Sequence, residues 1–414
     1  MTLTTFTKRE IFFLVLLLCA IFSGSLRKWF FLPAYFNHGI LGFQLLLPWL
    51  FCLGFYPWNQ SKIYKYLFIH WLILFLLTLI PDNCGFFHSF FGFLLHGGFW
   101  TALFVFLANN KKVDWIKFYP VSLLILGLET ILVIFQYALP VDHFINQYAN
   151  FKAIGDIALM GESARVTGTF SYVSGLGSYV LFMSFQLWLI SLQPKFNPFI
   201  FFLHEVCLGI LALLNGSRAV IFAFILIWII SRILRGLPRW INIYNILIII
   251  FLFSSIRVFP VFKKLLFQPF FNLSERVVSN VGSGEQTSRF ITPWKNVIFF
   301  SSEKEWFGYG LGCTYQGANE LWGISSNLLR FGYFEEEPER ILIEGGWVLF
   351  LLKLLFILLF ITLNHIPKWI CGILFALILG YFPIVSNTYN SFFFLWGIIS
   401  LSSQYEQKNR FFYP

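Results

Sequence analysis

The sequence predicts an all-α, polytopic membrane protein with about twelve transmembrane helices. Two observations carry this prediction: the composition, and the recurrence of apolar stretches about 20 residues long, the length that crosses a bilayer. The 414 residues are 58% hydrophobic and only 12% charged, whereas a soluble domain is about 25% charged. The chain therefore lacks the polar surface that soluble domains would need.

The apolar stretches define the individual spans. The predicted spans are residues 10–31, 38–56, 63–81, 85–108, 117–138, 174–192, 197–214, 219–234, 240–258, 341–363, 367–384 and 387–403. Only residues 215–218 separate 197–214 from 219–234, so this pair is either a tight helical hairpin or a re-entrant feature. No internal repeat is apparent in the sequence.

The basic residues orient these spans. When the loops are assigned alternately from an inner N-terminus, Lys8, Arg9, Lys111 and Lys112 are among the many cations on the inner side. An excess of Lys and Arg is typical of cytoplasmic loops, so both termini are expected in the cytoplasm. The same rule explains the net charge of +10, and we expect no nucleic-acid partner because no solvated basic domain is present.

Two long outer segments divide the chain into predicted regions. Residues 1–138 hold the first five helices, and residues 139–258 hold core helices together with an outer loop. Residues 259–340 form a large extracytoplasmic loop, and residues 341–414 hold the last helices and a cytoplasmic tail. The large loop contains Trp294, Trp306 and Trp322, which is too aromatic for disorder. We expect it to be a folded cap of short helices.

Arg165, Arg218 and Arg289 lie in the predicted outer loops, against the topology signal. Their neighbours are small or hydroxylated, which leaves each guanidinium accessible. Arginine gives planar, bidentate and permanently charged recognition of phosphate. These arginines would suit a diphosphate whose lipid tail lies in the bilayer. The alternative for each is snorkelling to the lipid headgroups.

Other charged residues lie at or within the spans. Arg27 and Lys28 end the first span beside Trp29, and we interpret them as snorkelling cations next to an aromatic anchor. A functional role is the alternative. Ionisable residues inside predicted spans include Glu129, His204, Glu205 and Lys353. Such groups are costly to bury and mark functional hypotheses, but their spacing does not form the chain expected of a proton relay.

The run before the span at 341–363 is rich in carboxylates: Glu335, Glu336, Glu337, Glu339 and Glu344. The dipole at a helix N-terminus favours carboxylates there. A transferase that acts on a sugar hydroxyl also needs a base, and a carboxylate near the membrane edge can serve. We take Glu339 and Glu344 as the catalytic candidates, without ranking the run further.

Neither a cofactor nor a metal is indicated. The run from Gly308 to Gly312 lacks the spacing of a dinucleotide fingerprint, and its glycines are better explained by close approach of backbone to backbone. The histidines have no metal-ligand spacing, and no closely spaced acidic pair typical of metal-dependent nucleotide-sugar transferases is present. We therefore expect no cofactor and no metal site.

In this order, the motifs resemble the O-antigen polymerase and O-antigen ligase superfamily of bacterial envelope enzymes. The matching pieces are Arg165-x-x-Gly168-Thr169-Phe170, Gly216-Ser217-Arg218-Ala219, Ser288-Arg289 with Trp294, the run Phe307-Gly308-Tyr309-Gly310-Leu311-Gly312, and Glu344-Gly345-Gly346. The resemblance covers residues 150–355. Leu26-Arg27-Lys28-Trp29 is similar to the exopolysaccharide-polymerase branch.

The resemblance implies a GT-C-like glycosyltransferase of the bacterial inner membrane. Such enzymes take a glycan from undecaprenyl diphosphate at the outer face and transfer it to a hydroxyl of a second lipid-linked glycan, or of lipid A-core in the ligases. Arg165, Arg218 and Arg289 match the arginines that hold the donor's diphosphate. A flippase and a chain-length regulator are the partner proteins it suggests. Ligases carry an outer-loop His-Asn that this chain lacks, which favours a polymerase.

Two other classes remain open from the sequence. A transporter or flippase for lipid-linked glycans would show repeated halves and a midplane site on broken helices, whereas the unusual residues here concentrate in outer loops. A non-catalytic assembly subunit could use the same outer arginines to bind acidic groups of a partner.

Overall fold

The structure is a computed structural model. It describes residues 5–30, 33–58, 62–80, 85–109, 113–149, 157–161, 163–193, 197–233, 268–269, 271–272, 285–315, 322–332, 337–380, 384–385 and 387–412. This part of the chain is largely α-helical, and 7 of its helices are long and apolar enough to cross a membrane. The prediction of a helical membrane protein is confirmed.

Each predicted span within the described residues overlaps a helix, while the span at 240–258 lies outside them. The helices are α1 (Lys8–Trp29), α2 (Ala34–Leu53), α3 (Ile63–Thr78), α4 (Phe86–Ala108), α5 (Tyr119–Ala138), α6 (Val173–Ser191), α7 (Pro198–Asn215), α8 (Arg218–Ile233), α9 (Glu285–Ile298), α10 (Ser326–Phe331), α11 (Glu337–Leu363), α12 (Lys368–Gly380) and α13 (Thr388–Phe412). The strands β1 (Leu159–Met160) and β2 (Ser163–Ala164) pair in antiparallel register.

Helix boundaries follow local signals in the sequence. Thr7 and Glu10 form a capping box at the start of α1, with Glu10 N donating to the Thr7 hydroxyl over 3.2 Å. The Asn197 side chain caps α7, and Pro198 follows at its first turn, where a missing N–H costs nothing. Gly216 ends α7 at φ 67° in the left-handed region. The two helices α7 and α8 are thus joined by a tight turn at Gly216 and Ser217.

The chain forms two compact units, each made of separate segments. The first unit comprises Met1–Pro33, Val113–Ser283 and Trp396–Gln404, and the second comprises Ala34–Lys112, Gly284–Leu395 and Tyr405–Pro414. In the first unit α6 is the central helix, since 89% of its spanning window is buried. It packs against α5, α7 and α8.

In the second unit α4 is the central helix and packs against α2, α3 and α11. Gly97 and Gly98 admit the Trp49 ring, because a Cβ on either glycine would lie less than 3.0 Å from it. The Trp49 indole donates to the Leu94 carbonyl over 3.0 Å. Packing of α9 and α12 against α11 completes this unit.

Residues 259–340, the predicted large loop, are described only in part. That part contains α9 and α10, as expected for a segment folded into short helices. Its position outside the membrane stays a prediction, and so do the boundaries of the four sequence regions.

Candidate functional site

Arg165 lies in the first unit, and the residues that follow it, 166–171, are buried. Its backbone continues from the β1–β2 hairpin, and Arg165 N donates to the Ala158 carbonyl over 2.8 Å. The Tyr148 hydroxyl donates to the Arg165 carbonyl over 2.9 Å. Burial raises the pKa of Tyr148 to about 12, so this hydroxyl stays a donor at neutral pH. The backbone on both sides of Arg165 is therefore fixed.

The half-buried Arg165 side chain reaches the turn between α7 and α8. Its Nε donates to the Asn215 carbonyl over 3.2 Å, and a Cβ on Gly216 would lie 3.6 Å from that Nε. Arg218, also half-buried, is the first residue of α8. The structure therefore brings Arg165 to the same turn that carries Arg218.

This turn has the chemistry of an anion site. The N-terminus of α8 is the positive end of the helix dipole, which favours negative charge. The fully buried Asn215 fixes the turn, since its Nδ2 donates to the Val173 carbonyl over 2.9 Å. Gly216 has φ 67°, a conformation that favours glycine, and a Cβ there would also lie 2.6 Å from the Met160 sulfur. We call Arg165, Asn215, Gly216 and Arg218 the arginine turn.

Arg27 and Lys28 do not snorkel to the bilayer surface, so that interpretation was wrong. Arg27 is 8% exposed and Lys28 is 4% exposed. Lys28 Nζ donates to the Thr167 hydroxyl over 2.6 Å and to the Gly168 carbonyl over 2.7 Å, while Arg27 donates to the Ser171 hydroxyl. The physical reason is that these cations satisfy polar groups of an irregular buried segment, which apolar side chains could not do.

Two side chains of α5 bind the same segment from another side. Glu129 accepts hydrogen bonds from both the backbone N–H and the hydroxyl of Thr169. Gln136 Oε1 accepts from Thr167 N over 3.2 Å and from Gly168 N over 2.8 Å. Glu129 and Gln136 therefore both bond a loop segment.

In the second unit, a glycine loop bridges a break in α11. Gly346 has φ 62° and ψ −165°, which interrupts the helix. The carbonyls of Ile343 and Glu344, before the break, accept from the N–H groups of Tyr309 and Gly310 over 2.8 and 3.1 Å. The N–H groups just after the break donate in turn to the backbone carbonyls of Glu305 and Trp306. Residues 305–314, which we call the glycine loop, thus satisfy backbone groups that the break leaves without helical partners.

The glycine loop also requires its glycines for space. A Cβ on Gly308 would lie 2.6 Å from the Ile343 carbonyl oxygen. A Cβ on Gly312 would lie 2.1 Å from the His88 carbonyl oxygen of α4. Close backbone approach, the explanation preferred from the sequence, therefore describes both contacts.

Glu344 anchors the glycine loop through its carboxylate. Oε2 accepts from Gly312 N over 2.8 Å and Oε1 accepts from the Thr314 hydroxyl over 2.5 Å and from Thr314 N over 3.2 Å. His96 Nε2 lies 2.8 Å from Oε2. Glu344 and His96 are both 0% exposed, so this carboxylate is surrounded by donors and shielded from solvent.

Within the second unit, a chain of buried polar groups continues from His96 to Lys353 and His70. Lys353 Nζ donates to the His96 carbonyl over 2.5 Å and lies 3.2 Å from His70 Nε2. Sequence reasoning named Glu344 and Lys353 separately and missed His96 and His70. The available signal was the rule that ionisable residues inside apolar helices need partners, but spacing along the chain does not identify the partner.

Glu339, the other catalytic candidate, is half-buried rather than enclosed. Asn296 Nδ2 donates to its Oε1, which ties α11 to α9. Arg289 lies in α9, seven residues before Asn296, which is about 10 Å along a helix axis. Arg289 belongs to the second unit and Arg165 and Arg218 to the first, so its convergence with them stays a prediction. Glu335 and Glu336 lie outside the described residues.

The described residues contain no group of three or more His, Cys, Asp or Glu side chains that could hold a metal ion. No known family model matches the chain, and no curated protein matches it. The functional argument therefore depends on the geometry of the arginine turn and of the Glu339 and Glu344 region.

Proposed function

We propose that this chain is a polysaccharide polymerase of the glycosyltransferase type. It joins undecaprenyl-diphosphate-linked oligosaccharide repeat units into O-antigen or exopolysaccharide at the outer face of the bacterial inner membrane. In this proposal the fold is GT-C-like, about twelve helices span the bilayer, and both termini lie in the cytoplasm. The reaction is independent of metal.

The observation that carries the proposal is the arginine turn. Arg165 Nε lies 3.2 Å from the Asn215 carbonyl, beside the first turn of α8 that begins with Arg218. Permanent positive charges at a helix N-terminus are suited to a diphosphate. Arg289 is the third diphosphate ligand predicted from the sequence.

The proposed reaction is a single displacement. The acceptor hydroxyl attacks the anomeric carbon from the side opposite the diphosphate, so the new glycosidic bond forms as the bond to the diphosphate oxygen breaks, with inversion. Arg165 and Arg218 stabilise the negative charge that develops on the leaving diphosphate. The hydroxyl proton passes to a carboxylate, and undecaprenyl diphosphate leaves.

Of the two glutamates, Glu339 fits the role of base better. Its carboxylate is half-buried and held by Asn296, so an acceptor can approach it. The Glu344 carboxylate is enclosed and accepts from the glycine loop and His96. We therefore assign Glu344 to holding the glycine loop. Replacement of a general base typically costs about 10²–10⁴ in rate, which is the loss expected for Glu339→Gln.

The proposal is tested with purified protein and lipid-linked repeat units. Removing one positioned ionic donor costs about 10²–10³ in rate, so Arg218→Ala should reduce the initial rate of polymer formation by that factor. Arg330→Ala is the control, because the Arg330 side chain is 53% exposed and makes a 3.8 Å ion pair with Glu303 and ring contacts to Tyr309 and Phe331 rather than contacts to the arginine turn. Normal polymer from Arg218→Ala would refute the anion site.

The same assay separates the other functions. A polymerase lengthens the glycan and releases undecaprenyl diphosphate. Transfer to lipid A-core without chain growth would identify a ligase, and movement of unaltered donor between leaflets would identify a flippase. Either result would overturn the proposed polymerase.

A further inference from the structure

We propose that Lys28 and Glu129 are positioning residues that hold the turn at Thr167, Gly168 and Thr169, and through it place Arg165 at the diphosphate site. This inference rests on the proposed function. It assigns a role to two buried charges that the reaction itself does not use.

Lys28 holds this turn from α1. Its Nζ donates to the Thr167 hydroxyl over 2.6 Å and to the Gly168 carbonyl over 2.7 Å. The segment that contains this turn also packs closely against α1 at Gly24, where a Cβ would lie 2.4 Å from Ser171 N. Thr167 is two residues from Arg165, so a shift of the turn relative to α1 moves Arg165 as well.

Glu129 holds the same turn from α5. It accepts from Thr169 N over 3.1 Å and from the Thr169 hydroxyl. Gly168 has φ 57°, and a Cβ there would lie 2.3 Å from Glu129 Oε2. Lys28 and Glu129 therefore bind the turn from two helices, and a side chain at Gly168 would crowd the Glu129 carboxylate.

Burying the Lys28 and Glu129 side chains costs free energy, which indicates that they have a function. Lys28 is 4% exposed and Glu129 is 1% exposed, and both lie in helices long and apolar enough to span a membrane. Burying a polar group costs free energy unless it is hydrogen-bonded, and both side chains form their hydrogen bonds with this turn. Unlike apolar contacts, their hydrogen bonds specify one conformation of the segment that leads from Arg165.

A double-mutant cycle on ligand binding tests this role, with undecaprenyl diphosphate as the probe and protein in lipid nanodiscs. Lys28→Met should weaken binding about tenfold or more, the loss found when residues that orient metal ligands are replaced. In an Arg165→Ala background, Lys28→Met should cause no further loss, because Lys28 acts through Arg165. Lys117→Met, which removes a lysine 3.1 Å from Glu10 at the other end of α1, should leave binding unchanged.

A second pair of variants keeps Lys28 in place. Thr167→Val removes the hydroxyl that Lys28 contacts and should weaken binding, whereas Thr167→Ser retains the hydroxyl and should bind as the wild type does. Thermal unfolding in detergent monitors whether Lys28→Met folds. If it does not fold, the two Thr167 variants still test the positioning role of Lys28.

The outcomes separate this inference from the proposed function. Unchanged binding in Arg165→Ala would refute the diphosphate site itself. With binding weakened in Arg165→Ala, an additive further loss from Lys28→Met would show that Lys28 acts independently and would overturn the positioning role. Equal binding by Thr167→Val and Thr167→Ser would overturn it too.

Discussion

Each of the two units uses a buried glutamate to hold one threonine of a glycine-containing segment. In the first unit, Glu129 accepts from the N–H and the hydroxyl of Thr169. In the second unit, Glu344 accepts from the N–H and the hydroxyl of Thr314 over 3.2 and 2.5 Å. The two units therefore share this hydrogen-bonding arrangement, although the two segments have different sequences.

The two sites differ in what the held segment does. The Glu129 segment leads directly to Arg165, so it supports a group that projects toward a proposed ligand. The Glu344 segment bridges a broken helix and meets a carboxylate that also accepts from Gly312 N and His96. The comparison teaches that buried irregular backbone is tolerated where buried side chains satisfy its polar groups.

The largest expected difference between the sites is in the cost of removing each carboxylate charge. Glu344→Gln should destabilise the protein by about 3–5 kcal/mol, the cost of breaking a buried charged network. Glu129→Gln should cost about 1–3 kcal/mol, because fewer donors lose their acceptor. Unfolding of the purified variants in detergent measures both values, and a larger loss for Glu129→Gln would reverse the comparison.

Alanine at the two segment glycines should give a smaller difference in the same direction. Gly312→Ala combines strain at φ 76° with contact to the His88 backbone, and each effect costs about 1–3 kcal/mol. Gly168→Ala meets a side-chain carboxylate instead, which can shift, so its loss of unfolding free energy should be smaller. Gly42→Ala is the control, since nothing lies within 4 Å of a Cβ there. Equal losses at all three positions would contradict the close packing.

The smallest effect concerns Tyr148, which supports Arg165 only in the first unit. Tyr148→Phe should cost about 0.5–1.5 kcal/mol, the net value of one hydrogen bond. The pKa of Tyr148 is about 12 in the folded protein and about 10 in an unfolded chain. Its contribution is therefore complete below pH 10 and lost as the pH rises toward 12. The difference in unfolding free energy between wild type and Tyr148→Phe should fall over that range and change sign, because a shift of two pKa units is worth about 2.7 kcal/mol; a constant difference would refute this explanation.

The helices were predictable from the sequence because a bilayer imposes a length and an apolar composition on each span. The stretches 85–108 and 174–192 correspond to α4 and α6 within a residue at each end. The break at Gly346 was not predicted, although two consecutive glycines precede Trp347. Hydropathy identifies apolar stretches. It does not indicate where the backbone departs from helical geometry.

The partners of the buried charges were not predictable. His96 and Glu344 are 248 residues apart in the chain, and Lys28 and Thr167 are 139 apart. Local patterns carry no information about such pairs, so Lys28 was interpreted from its position at a helix end alone. Arg165 and Arg218 were chosen because they break the predicted topology pattern, and the fold brings both to one turn.

The most direct test of the central claim is an experimental structure of the purified protein with undecaprenyl diphosphate bound. The account predicts diphosphate oxygens at the guanidinium groups of Arg165 and Arg218, beside the first turn of α8, with Arg289 as the third ligand. A diphosphate bound away from Arg165 and Arg218 would contradict it.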